Sequence, residues 1–141
     1  MNGGCAGKRL CFAGKGRAME IQILEGGFSV CQMREIGPEV LKQEFCFVGR
    51  TDEELSLVCR TECVPEQALR REDGWKGFRI QGELDFSLIG ILARLSGILA
   101  EEGIGIFVVS TYRTDYLFTK REAFGRAIAA LERNGVAVQG R

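Results

Sequence analysis

The chain has no histidine in 141 residues, only two prolines, and no surplus of either charge, with 19 basic residues against 19 acidic ones. Each shortage excludes something. Without histidine the commonest general base near neutral pH is missing. Catalysis would then rest on carboxylates, lysine, tyrosine or a thiolate, and none of these stands in a recognisable catalytic motif. Without a basic surplus there is little charge to neutralise a phosphate backbone, which counts against nucleic-acid binding. No apolar run approaches the ~18–20 residues of a membrane-spanning helix. The expectation is a cytoplasmic, non-catalytic protein without catalytic residues, cofactor, membrane segment or nucleic-acid partner.

Metal and disulfide chemistry are equally thin. The six cysteines, Cys5, Cys11, Cys31, Cys46, Cys59 and Cys63, form no CxxC pair, and no histidine completes a mixed zinc site. Several sit in apolar runs, as in Phe45-Cys46-Phe47 and Leu57-Val58-Cys59, where cysteine acts as a small hydrophobe. They are expected to be reduced and structural, with no metal site.

What remains is a chain 45% hydrophobic, enough for a core without disulfides or metal. Its length suits one ordinary domain, or two small ones that share a core. Residues 1–18 hold five glycines and four basic residues around a short apolar patch, and read as a disordered leader outside the fold. From Glu20, Ile21 and Ile23 alternate with polar neighbours. Glu25-Gly26-Gly27 is a turn signal and 28–33 a second strand, which predicts a hairpin. Gly37-Pro38 breaks the chain, and 39–42 holds one helical turn. Residues 45–48 and 55–59 read as strands, around a Thr51-Asp52-Glu53-Glu54 stretch with capping-box spacing for a helical turn. A loop or short helix is expected near Pro65.

The second half is clearer. Residues 75–81 are strand-like, with Phe78 and Ile80 on one face, and Gly82 ends the run. Leu88, Ile91, Leu92, Leu95, Ile98 and Leu99 recur at helical spacing, with Ser87 as N-cap and Gly103 where a helix end takes a left-handed residue. A buried strand is expected over 104–109, a turn over 110–114 and a returning strand over 115–119. Thr119-Lys120-Arg121-Glu122 repeats the capping-box spacing before a helix of Phe124, Ala127, Ile128 and Leu131, stopped by Gly135. Residues 136–138 form a last short strand. The order β-α-β-β-α-β predicts an α+β, ferredoxin-like antiparallel sheet with both helices on one face. RNA-recognition domains share that order but need exposed aromatics on central strands. The strand at 104–109 offers only Phe107.

Two stretches look alike. Phe47-Val48-Gly49-Arg50-Thr51-Asp52 resembles Phe107-Val108 followed, after a few extra residues, by Thr114-Asp115-Tyr116-Leu117. A duplication is expected, with a degenerate copy over 19–72 and a complete one over 73–141.

The residues also resemble a known family. Asp85-Phe86-Ser87-Leu88-Ile89-Gly90-Ile91-Leu92, then Glu102-Gly103-Ile104-Gly105-Ile106-Phe107, then Ser110-Thr111-Tyr112-Arg113-Thr114-Asp115 resemble, in this order, small bacterial tandem ACT-domain proteins related to the ACT repeats of the CASTOR arginine sensors. Phe28-Ser29-Val30-Cys31 and Thr51-Asp52-Glu53-Glu54-Leu55-Ser56 look like that group's N-terminal half. Arg113 departs from the pattern, since the group more often has an acidic residue there. The resemblance implies a tandem ACT fold, a side-by-side homodimer, and an amino acid bound between modules near the loop from first strand to first helix.

The physics of that loop suits the expectation. Ser87, Leu88 and Ile89 open the helix, where unpaired N–H groups and the helix dipole receive a carboxylate. Gly90 permits close approach, and Asp85 and Phe86 lead into the loop. Asp115 is the candidate partner for a cation, Ser110, Thr111 and Thr114 supply hydroxyls, and Glu102, beside Gly103 and Ile104, is a further acceptor. The alternative is an ACT-like assembly module that acts on a partner enzyme without a ligand.

Overall fold

Alternating apolar and polar residues build strands along most of the chain; the computed structural model describes residues 19–81 and 88–140. The elements are β1 (Glu20–Ile23), β2 (Phe28–Gln32), α1 (Pro38–Leu41), β3 (Phe47–Arg50), β4 (Leu55–Arg60), a 3-10 turn (Thr61–Cys63), β5 (Arg70–Gln81), α2 (Leu88–Glu101), β6 (Ile106–Ser110), β7 (Asp115–Lys120), α3 (Arg121–Arg133) and β8 (Ala137–Gln139). All the strands join one sheet, in the order β3-β4-β2-β5-β1-β8, with β7 on the free side of β5 and β6 beyond β7.

The 12-residue strand β5 organises this sheet. Its first half pairs with β2 (Gln32↔Arg70, Phe28↔Trp75) and its second half with β1 (Ile23↔Phe78, Glu20↔Gln81), both antiparallel. So β1 and β2 lie end to end along one strand, and the expected hairpin does not form. The glycine-rich segment between them is a bulge instead: Leu24 to Gly27 stand opposite Lys76 and Gly77, and the Leu24 N–H donates to the Gly77 carbonyl at 3.0 Å. Gly26 takes φ +86°, which suits a bulge that bends the strand without reversing it.

The split βαβ order occurs twice. One unit is β5 (first half)-β2-β4-β3, and the other is β1-β5 (second half)-β7-β6. In the second, β1 fills the closing position that β8 was expected to take. β8 adds outside β1 and parallel to it, Ile21 beside Val138, so the sheet is mixed where a purely antiparallel one was expected. β5 runs without a break through residues 72 and 73 and is common to both units.

The internal likeness is gap-free at a separation of sixty positions. β4 and β7 show the same alternation of buried and half-buried residues. The turns before them close alike, Thr51 N–H to the Glu54 carbonyl at 2.9 Å and Thr111 N–H to the Thr114 carbonyl at 2.8 Å. Arg60 and Lys120, which follow, share φ −62° and ψ 145°. Thr114 therefore corresponds to Glu54, and no extra residues intervene.

Helices differ between the units. α2 buries Ile91, Leu95 and Leu99, and α3 buries Phe124, Ala127, Ile128, Ala130 and Leu131, against Ile21, Phe78, Ile80 and Leu117. Each large side chain so buried contributes roughly 1.5–3 kcal/mol. In the first unit the four-residue α1 buries nothing, and the 3-10 turn stands where α3 would be. Its core is small: Cys31, Met33, Leu55, Leu57 and Cys59. A third cluster, with Phe28, Val58 and Phe118 at its centre and Phe45, Phe47, Phe107 and Tyr116 around it, covers the face away from the helices.

Neither capping box opens a helix. Thr51 Oγ1 accepts the N–H groups of Glu53 and Glu54, but inside a strand-to-strand turn. Thr119 lies within β7, its hydroxyl buried without a partner, and α3 starts from Lys120 with no side-chain cap. At Thr119, strand pairing with two neighbours, β5 and β6, outweighs a single local hydrogen bond.

Candidate functional site

A β-turn places the motif residues 110–115 at one end of the sheet. Thr111 Oγ1 donates to the Thr114 carbonyl at 2.8 Å and accepts the Thr114 N–H at 3.3 Å. Thr114 Oγ1 then donates to the Ile80 carbonyl at 2.7 Å. That bond latches the turn onto the last residues of β5, the strand whose continuation leads into α2. Asp115, opposite Ser110 across the ladder, is only 3% exposed and points to the helix-covered face with Leu117 and Thr119. Ser110 and Thr111 are exposed, as are Tyr112 and Arg113 at the tip.

Of the expected loop, Asp85, Phe86 and Ser87 lie outside the described residues. The backbones of Leu88 and Ile89 form the first turn of α2, and Gly90 is exposed in the same turn. Ile91 in this first half of α2 packs in the same core cluster as Ile80, the residue that Thr114 latches, which puts this part of α2 over the sheet that carries Asp115.

Glu102, Gly103 and Ile104 stand at the other end of α2. The Gly103 N–H bonds the Ala100 carbonyl at 3.0 Å with φ +73°, and the Ile104 N–H bonds the Leu99 carbonyl at 3.0 Å, closing the helix. Ile104 is buried in the core. The Glu102 carboxylate pairs with Arg133 at 2.9 Å, and its carbonyl accepts from Arg126 at 2.9 Å. At 1.5 Å per residue, the 14 residues of α2 span about 21 Å. The structure thus brings Gly90, Ser110, Thr111, Thr114 and Asp115 to one end and sets Glu102 to Ile104 at the far end.

Three thiols are made harder to ionise by burial. Burial pushes Cys59 up to about 12 and raises Cys31 and Cys46 as well. Among the described residues no group of three or more His, Cys, Asp and Glu is placed to hold a metal ion, and no helix is long and apolar enough to cross a membrane.

One polar group escaped sequence reasoning. Arg79 and Gln81 alternate with Phe78 and Ile80, so they occupy the face of β5 away from the helices, where Arg79 bonds Gln81 Oε1 at 3.1 Å and the Tyr116 hydroxyl at 3.4 Å. The signal was the polar half of an alternation read only for its apolar half.

Comparison with known proteins agrees with this architecture. A family model of the ACT domain matches residues 70–133. A structure from Agrobacterium tumefaciens shares 29% identity at a TM-score of 0.80, covering 89% of this chain and 95% of that one. A Vibrio cholerae protein described as of unknown function and a possible transport protein follows at 23% and 0.64, over 82% and 89%. The ligand-free regulatory subunit of aspartate kinase from Thermus thermophilus is 10% identical at 0.56, over 80% and 95%. No curated protein matches. The fold is the α+β ACT fold, in tandem.

Proposed function

We propose that this chain is a non-catalytic regulatory module that binds an amino acid between its ACT units and works in the cytoplasm as a homodimer. In this reading residues 19–72 are the degenerate unit and 73–141 the complete one, of the kind found in CASTOR-type sensors, with β1 lent to the complete unit and β5 common to both. The carrying observation is the latch of Thr114 onto Ile80, which holds a buried carboxylate, Asp115, at the end of the sheet where α2 begins. The N–H groups of the first turn of α2 receive the ligand carboxylate. Asp115 then faces its ammonium or a cationic side chain, with Ser110 and Thr111 as hydroxyl partners, Asp85, Phe86 and Ser87 as further expected contacts, and Gly90, after Leu88 and Ile89 in the first turn of α2, leaving room for approach. Glu102, Gly103 and Ile104 enter only where a second copy brings that end of α2 to the ligand. The aspartate kinase regulatory subunit among the structural neighbours supports a regulatory role for this fold.

A thermal-shift screen of the full chain against the twenty amino acids tests the reading. A ligand at a hundred times its dissociation constant adds about 2.7 kcal/mol to native stability, so one or two amino acids should raise the midpoint visibly. Asp115→Asn should abolish that rise while the protein still unfolds cooperatively. A flat response across all twenty sinks the sensor reading in favour of a ligand-free assembly module.

A further inference from the structure

The face of the sheet away from the helices carries a polar row that the turn at 110–115 does not use. Register places Gln139 beside Gln22, Gln22 beside Arg79, and Arg79 beside Tyr116. With strands about 4.8 Å apart, these four side chains form one continuous line across β8, β1, β5 and β7. Their neighbours along each strand, Ile21, Phe78, Ile80, Leu117 and Val138, belong to the core under the helices. The row therefore projects to the opposite side.

Arg79 is half-buried, and its hydrogen-bond partners among the described residues, Gln81 Oε1 and the Tyr116 hydroxyl, are neutral groups. None of the ion pairs among the described residues includes it, although Glu20 stands one row along on the same face. A charge withdrawn from water is ordinarily matched by an opposite one. Here the guanidinium is held in place by Nε and one Nη, and among the described residues its other N–H groups have no partner, which makes them a fixed fork suited to two carboxylate oxygens. Gln22 lies next to it, and among the described residues its amide makes only a 3.4 Å bond to the neighbouring Ile23 carbonyl. On the other side the Tyr116 ring is walled by Phe47 at 5.0 Å and Phe45 at 6.2 Å between centroids. Phe45 takes φ +60°, a backbone position uncommon outside glycine, and its ring lies against Tyr116.

We propose that this row is a second binding site, for a small aromatic carboxylate. The carboxylate sits on Arg79 with Gln22 as an additional donor, and the ring lies against Tyr116 and Phe47. The site is on the opposite face of the sheet from α2 and is independent of the amino-acid reading above.

The test is an NMR titration of the full chain with phenylacetate, with phenylacetamide as the uncharged control. Phenylacetate should shift the Gln22 side-chain amide and the backbone of Arg79 and Tyr116 saturably, and phenylacetamide should bind at least about tenfold more weakly, since hydrogen bonds to charged groups are the stronger ones. Arg79→Gln should weaken phenylacetate about tenfold or more. Should that variant fail to fold, Tyr116→Phe keeps the ring, removes the hydroxyl that aims the guanidinium, and should still weaken binding severalfold. Arg126→Gln, on the helix side, should change nothing. The proposal is overturned if phenylacetate produces no localised shifts, if phenylacetamide or Arg79→Gln binds as well as the parent pair, or if the shifts gather at 88–90 and 110–115 instead.

Discussion

The two units of this molecule share a strand order, a turn and a register, yet one rests on helices of 14 and 13 residues and the other on a four-residue turn of helix and a 3-10 turn. The second unit buries a broad apolar layer under α2 and α3, whereas the first buries Cys31, Met33, Leu55, Leu57 and Cys59 beneath very little. The poorer unit is held by what it shares. β5 closes its sheet, and Phe28 and Val58 pack into the common aromatic layer with Phe118. Helical cover is thus dispensable in a split βαβ unit when a neighbour supplies a strand and a second apolar face.

Leu117 and Leu57 occupy corresponding positions and are both fully buried, so they measure that difference directly. Leu117→Ala should cost about 3–5 kcal/mol, because two long helices hold the cavity open, and Leu57→Ala about 2–3, because its thin cover can settle. Urea unfolding of both variants checks this. Equal costs, or a larger one at Leu57, would mean the first unit is as rigidly packed as the second.

The next effect concerns how the same space is filled. Gly77 faces Phe118 across β5 and β7, where the first unit sets Val30 against Val58. A Cβ on Gly77 would meet the Phe118 ring at 2.6 Å and the Leu117 carbonyl at 3.2 Å. Gly77→Val should therefore destabilise by about 1–3 kcal/mol. Phe118→Val should also destabilise, since its ring contacts Phe28 and Phe107. The double variant imports the valine pair of the first unit and should cost at least about 1 kcal/mol less than the sum. Simple additivity would show that Gly77 is not there to admit the ring.

These correspondences explain what sequence could and could not reveal. Alternation exposed the strands, and the stripe of Ile91, Leu95 and Leu99 exposed α2, because both periodicities are local. Alternation also assigns each residue to a face, but it does not say which strand lies beside it. The Glu25-Gly26-Gly27 signal was real, yet turn and bulge draw on the same residues, and only the long reach of β5 decided between them. The insertion of β1 ahead of β8 and the row from Gln139 to Tyr116 depend on strand order, which is set by contacts far apart in the chain. At the candidate site the turn 110–115 was legible as a motif. The placement of Glu102 to Ile104 a helix length away follows from α2 itself.

The cysteines give a smaller contrast, because Cys59 corresponds to Thr119. Burial lifts the Cys59 thiol from 9.0 to about 12, so the folded state keeps its proton where the unfolded chain has lost it. A raised folded pKa contributes stability that is complete below about 9 and is lost as pH climbs toward 12. Cys59→Ala removes this sensitivity. The stability gap between parent and variant should shrink by about 1–3 kcal/mol across that window, measured by urea unfolding at each pH. A gap that stays constant would mean the thiol ionises as freely in the fold as outside it.

The smallest expected effect lies where the first unit meets β5. Ser29 is fully buried, donates to Asp73 Oδ1 at 2.6 Å and lies 2.9 Å from Thr61 Oγ1, so one hydroxyl ties β2, β5 and the 3-10 turn together. Its bond and the nearby Arg71 guanidinium hold the Asp73 carboxyl below its ordinary range. A lowered folded pKa contributes stability that is present above the usual carboxylate value and is lost as pH falls through the folded one. Ser29→Ala returns Asp73 toward its ordinary value, so the variant should be slightly less stable at neutral pH and should approach the parent as the solution is made acidic. Arg71 remains on Asp73 in the variant, which keeps the effect modest, and Asp73 is open to solvent screening. A gap between parent and variant that is independent of pH would assign the serine to packing and to Thr61 alone, with the carboxylate a bystander. At the corresponding position of the second unit stands Lys76, whose ammonium lies over the Phe124 ring of α3 at 5.4 Å and reaches the Gly26 carbonyl only at 3.5 Å. Where a long helix is present, an aromatic of that helix meets the strand; where it is missing, a short hydrogen bond to β5 does.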